Sequence, residues 1–220
     1  MSQTLAVLAS GEGSNLQAIL DAIARGGLDS RVNVVISHRP DAGALQRACD
    51  AGVESVYIDP ANNYDIKLHD ILEAVSPDLV VLAGYLKLIA PLTVARWEGA
   101  MLNIHPALLP AFGGPGMYGL RVHEAVLAYG VRVTGATVHL VDEVYDHGPI
   151  IAQVPVPVLE QDTPQRLQAR VLRTEHALYP KVLQWFAEGR IERQGRRIRI
   201  REEPGGTGMT EWPGWRTDEP

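Results

Sequence analysis

Residues 5–24 read LAVLASGEGSNLQAILDAIA. The first five are all apolar, and a short run of that kind ending at a Ser-Gly turn reads as a strand buried on both faces. Farther along, Leu16, Ile19, Leu20 and Ile23 fall at the three- and four-residue spacing of one helix stripe. Between strand and helix, SGEGSN offers two glycines, Gly11 and Gly13, for a tight turn. Strand, glycine turn and helix in succession open a βαβ unit, and such units build parallel sheets.

The alternation continues. Residues 32–37, 55–58, 79–83 and 101–104 read as further buried strands, with helical patterns over 42–51 and 64–75. The expected fold is α/β, a Rossmann-like, mostly parallel sheet with helices on both faces. After Gly130 the texture changes: residues 134–141 and 150–156 are extended runs around a polar turn, as in an antiparallel addition. Thr163 is placed to cap a long C-terminal helix with Leu167, Val171, Leu178, Val182 and Phe186 on one stripe, and Gly189 to stop it. RIRIR then follows a Gln-Gly turn and predicts a small hairpin. Its arginines read as the charges of an edge that resists strand pairing. Residues 1–203 are expected to form one domain and 204–220 a flexible tail, in which Trp212 and Trp215 stand out.

Of 220 residues, 46% are hydrophobic and 21% charged, the balance of a soluble protein. A formal net charge of -6 argues against a general nucleic-acid binder. The single cysteine, Cys49, excludes an internal disulfide and a cysteine-rich metal site, and reads as a structural thiol rather than a nucleophile. With no basic, apolar leader and no run long enough to span a bilayer, a cytoplasmic setting is expected.

Bare N–H groups at a helix start attract phosphate, so SGEGSN is a candidate anion site. A dinucleotide fold would want a third glycine where Leu16 stands, and an acid where His38-Arg39-Pro40 follow the second strand. One phosphate monoester fits better than a pyrophosphate. The richest segment is MLNIHPALLPAFGG, residues 101–114. Asn103 and His105 lie two apart on a strand and share a side, at the carboxyl end where open α/β sheets bind ligands. An amide donor beside a proton-exchanging imidazole suits addition to a carbonyl, although a lone histidine of this kind more often just satisfies a backbone group. VDEVYDHGPI, residues 141–150, places Asp142, Glu143, Asp146 and His147 in one turn. A carboxylate from that turn beside His105 would favour the imidazolium.

SGEGSNLQAIL, LAGYLKLIAP, LNIHPALLPAF, VTGATVHLVDEVYDHGPIIAQ and TEHALYP, in that order, resemble the glycinamide ribonucleotide formyltransferase family, and the likeness covers residues 5–189. The resemblance implies transfer of a formyl group from 10-formyltetrahydrofolate to the amine of glycinamide ribonucleotide, without a metal or a covalent enzyme intermediate. It implies a catalytic trio of Asn103, His105 and Asp146, and a nucleotide site at Gly13, Ser14, Asn15 and Glu175. The folate would lie on Leu86, Lys87, Leu88, Ile89, Asn103, Val141, Asp142, Glu143 and Asp146. The partners implied are these two small molecules, with no nucleic acid and no membrane, and a monomer or homodimer.

The chain departs from that pattern in places. Ala61 stands where the family often has an arginine for the folate glutamate tail, with Lys67 as a substitute. His147 replaces a small residue after the catalytic aspartate, where it would crowd or tune Asp146. FGGPGMYGLRVHEAV is a longer, glycine-rich flap, with a helix beginning at His123. Methionyl-tRNA formyltransferases add a basic C-terminal barrel, and formyltetrahydrofolate deformylases an N-terminal regulatory domain and a second histidine at the place of Pro106. The glycine turn favours the nucleotide substrate over both. Zinc held by His105, Asp146 and His147 fits no standard spacing, and a non-enzymatic nucleotide-binding module would have no use for the Asn103 and His105 pair.

Overall fold

The computed structural model describes residues 2–201, so the expected tail at 204–220 lies outside the described residues. Strand β1 (Gln3–Leu8) sends Leu5 and Val7 into one core and Ala6 and Leu8 into another, which is why its sequence runs apolar without alternation. Parallel to it run β2 (Ser30–Ser37), β3 (Glu54–Tyr57), β4 (Leu79–Leu82) and β5 (Met101–His105). Helices α1 (Ser14–Ala24), α2 (Gly43–Asp50), α3 (Tyr64–Val75) and α4 (Pro91–Arg96) connect them. Strands β6 (Val133–Leu140) and β7 (Ile150–Pro157) add on antiparallel, giving the order β3-β2-β1-β4-β5-β6-β7. One face is covered by α1 and α2 with α5 (Leu120–Tyr129) and α6 (Pro164–Ala187), the other by α3 and α4. The order reverses between β1 and β4, which opens a crevice at the carboxyl ends of both strands.

The cap expected at Thr163 forms: its Oγ1 accepts from the Arg166 N–H at 3.3 Å. Farther along α6 the buried Tyr179 hydroxyl lies 3.0 Å from the Leu82 carbonyl and 3.1 Å from that of Leu102, pinning this helix to the ends of β4 and β5. Helix α5 starts at Leu120, three residues before His123, because Gly119 at φ 55° ends the loop there. The six-residue α4 has no legible stripe and begins on a proline at its first position. The arginine hairpin, β8 (Ile191–Gln194) with β9 (Arg197–Ile200), forms its own two-stranded sheet and is not an edge of the main one. Its charges make local pairs, Arg193 with Glu98 at 3.0 Å and Arg201 with Glu192 at 3.3 Å. Cys49 is free and exposed on α2, not packed in the core. Among the described residues no helix is long and apolar enough to cross a membrane.

Candidate active site

The crevice begins at the glycine turn. Gly13 stands at φ 76° before α1, and a Cβ there would lie 2.7 Å from the Ala44 Cα, so both conformation and close approach demand glycine. The turn is braced from two sides. Arg47 Nε donates to the Glu12 carbonyl at 2.7 Å, while Ser10 ties the turn to the loop after β4. The Ser10 N–H donates to the Gly84 carbonyl at 3.1 Å, and its Oγ accepts from the Leu86 N–H at 3.0 Å. In the first turn of α1, Asn15 Nδ2 donates to Glu175 Oε2 of α6 at 2.7 Å. Burial pushes the Glu175 carboxyl up to about 7, against the lowering effect of that bond.

On β5, Leu102 and Ile104 enter the core under α1 and α6 while Met101 enters the other, so Asn103 and His105 share one side as the spacing predicts. His105 is buried, and its Nε2–H donates to the Phe112 carbonyl at 2.8 Å. That leaves Nδ1 facing Asp146 Oδ2 at 3.5 Å. The carboxylate that approaches from the 141–150 turn is therefore Asp146. It sits at φ 52° and accepts from the Gly114 N–H at 2.9 Å and from Asn103 Nδ2 at 3.3 Å. Burial holds the His105 imidazole below its ordinary value, outweighing the upward pull of Asp146 and the Phe112 carbonyl. For Asp146, burial works upward, but the His139 and His105 rings and the Gly114 N–H together carry it below the usual carboxylate value. The resting pair is a neutral imidazole facing a carboxylate.

His139 is the member that sequence reasoning missed. Its Nδ1–H donates to the Leu140 carbonyl at 2.8 Å, and Nε2 faces Asn103 Nδ2 at 3.1 Å and Asp146 Oδ1 at 3.7 Å. The antiparallel register sets it directly opposite Asn103. A lone ionisable residue in the otherwise uncharged TGATVHLV was the available signal.

A cavity of about 340 Å³ runs from Asn15 and Glu175 past Asn103, His105 and Asp146, under the glycine-rich flap, to Tyr85 and Leu86. A smaller one of about 60 Å³ adjoins it, sharing Asn103 and Asp146 and lined by Lys87, Leu88, Ile89, Val141 and Asp142. The residues assigned to folate are divided between these two cavities and the surface. Leu86 faces the larger cavity, and Glu143 is exposed on the outside of its turn and lines neither. Ser14 also turns away, into a separate cleft with Gln17 and Arg47. Ala61 and Lys67 are both exposed. His147 does not crowd Asp146 but pairs with Asp142 at 2.7 Å. Among the described residues no group of three His, Cys, Asp or Glu side chains is arranged to hold a metal ion.

Residues 3–183 match the formyl transferase family, most of the chain's length. The chain belongs to the formyl transferase family. A phosphoribosylglycinamide formyltransferase of Escherichia coli is 40% identical over 193 residues, covering 86% of this chain and 89% of that protein. A chloroplastic phosphoribosylglycinamide formyltransferase of Vigna unguiculata is 44% identical over 192 residues, 85% of this chain, which spans only 62% of that longer protein. Among solved structures, glycinamide ribonucleotide transformylase 1 of Symbiobacterium toebii superposes with a TM-score of 0.85 at 46% identity, over 91% of this chain and 94% of that one. For a formyl transferase, the site has a polar trio at the carboxyl edge of a central strand and two adjoining cavities that meet on it.

Proposed function

We propose that this formyl transferase moves a formyl group from 10-formyltetrahydrofolate to the amine of glycinamide ribonucleotide, a step of purine biosynthesis. The observation that carries the reading is the convergence of Asn103, His105 and Asp146 where two cavities meet, with Asp146 3.3 Å from the amide and 3.5 Å from the imidazole. The nucleotide takes the end with the glycine turn, Asn15 and Glu175, where helix N–H groups meet its phosphate. Folate takes the end with Leu88, Ile89 and Val141, whose apolar walls suit a flat ring, while Lys87 and Asp142 offer polar edges.

The amine nitrogen bonds to the formyl carbon, and the carbonyl oxygen carries the negative charge of the adduct. The Asn103 amide stabilises that oxygen, joined by His105 when Nδ1, the ring nitrogen not bonded to Phe112, carries the proton in transit. The nitrogen then sheds a proton, which the Asp146 and His105 pair relays to the departing folate nitrogen as the old C–N bond breaks. No proton is gained or lost overall. The test is an assay of the purified protein with 10-formyltetrahydrofolate and glycinamide ribonucleotide, beside a control with water as the only acceptor. Formylated nucleotide is expected. Release of free formate at the same rate with and without the nucleotide would make the protein a deformylase and overturn the proposal.

A further inference from the structure

The turn that carries Asp146 is fastened in a way the transfer reaction does not explain. Asp146 occupies the left-handed region, φ 52°, which a residue other than glycine holds only when its surroundings compel it. Three contacts fasten its turn. Asp142 Oδ2 accepts from His147 Nδ1 at 2.7 Å, joining the residue four before Asp146 to the one just after it. Asp142 Oδ1 also accepts from the Val144 N–H at 3.0 Å, folding the turn inward. From outside, Arg196 at the tip of the β8–β9 hairpin donates through Nη2 to the His147 carbonyl at 2.5 Å. The arginine hairpin is thereby tied to the backbone one residue from Asp146.

We infer that Asp142, His147 and Arg196 form a clasp that positions the Asp146 carboxylate against His105. They are positioning residues, and the inference rests on the trio of the proposed function. Both side chains of the bridge reach solvent, at 56% for His147 and 33% for Asp142, so the clasp contributes little to global stability. One turn needs little. The Asp146 oxygens must stay near the Gly114 N–H, Asn103 and His105 together, and a small bias decides how often they do. Asp142 lines the smaller cavity, so the test uses His147 and Arg196, which line neither cavity.

His147→Ala and Arg196→Ala are compared with wild type by kinetics and by NMR titration of the His105 ring. An exposed ion pair biases a local equilibrium by at most about fivefold, so turnover should fall by up to about that factor with KM nearly unchanged. The His105 midpoint should move down, toward its value in Asp146→Asn, because the facing carboxylate has been loosened. The other rings facing it, His139 and His123, are untouched by these substitutions. His147→Asn, which restores a donor to Asp142, should recover wild-type turnover. In an Asp146→Asn background, His147→Ala should cost nothing more, since the clasp acts through that carboxylate. Unchanged turnover and an unchanged His105 midpoint in both alanine variants would overturn the clasp, as would a loss of melting temperature alone. The titration needs no acceptor, so it tests the clasp even if glycinamide ribonucleotide proves not to be the substrate.

Discussion

Glu175→Gln should make the ligand-free protein more stable at alkaline pH, with the gain shrinking as the solution is acidified. Glu175 is only 7% exposed, and burial raises its carboxyl from 4.5 to about 7 despite the bond from Asn15. A group whose pKa is higher folded than unfolded contributes stability that is complete below the unfolded value and is lost as pH rises through the folded one. The gap between 4.5 and about 7 is worth about 3 kcal/mol at about 1.4 kcal/mol per pH unit. Of this, about 2 kcal/mol develops between pH 5.5 and 8.5 by the same linkage. Glutamine keeps an acceptor for Asn15 and removes the charge. The melting-temperature advantage of Glu175→Gln over wild type should therefore widen by about 4–8 °C between those pH values, at about 2–4 °C per kcal/mol for a chain of this size. Thermal denaturation of both proteins at each pH gives the answer. An advantage that is constant with pH, or a variant less stable at pH 8.5, would refute a strained, buried carboxylate at this position.

Three further outcomes are expected. Asp146→Asn should lower turnover about a hundredfold, the usual scale for an acid–base component, and NMR should find the His105 midpoint lower still once the carboxylate that raises it is gone; a stationary midpoint would dissolve the pair. Gly13→Val forces a Cβ into the Ala44 backbone and the valine out of its preferred conformations, so calorimetry should find nucleotide affinity falling at least tenfold and folate affinity much less; equal losses in a folded protein would move the phosphate site elsewhere. Tyr179→Phe strips the hydroxyl from two buried carbonyls and should cost about 1–3 kcal/mol in urea denaturation, and a neutral result would mean that α6 is held by apolar packing alone.

Local patterns in the sequence determined a good part of this protein. The all-apolar β1, the stripe of α1, the Thr163 cap and the two-residue spacing of Asn103 and His105 each depend on the chain within a few residues, and each stands where the pattern put it. The glycine turn was legible for the same reason, since a left-handed residue before a helix is a local demand. Distance along the chain hid the rest. Only the pairing of β5 with β6 sets His139 opposite Asn103, 36 residues away in sequence. The residue pattern left Asp142, Glu143 and Asp146 level, and the family resemblance alone singled out Asp146; the fold of the 141–150 turn sends one carboxylate to His105, one to His147 and one to solvent. The net direction of the His105 shift was equally out of reach. The attraction of a carboxylate can be anticipated from residue types, but burial, which outweighs it here, is a property of the assembled core.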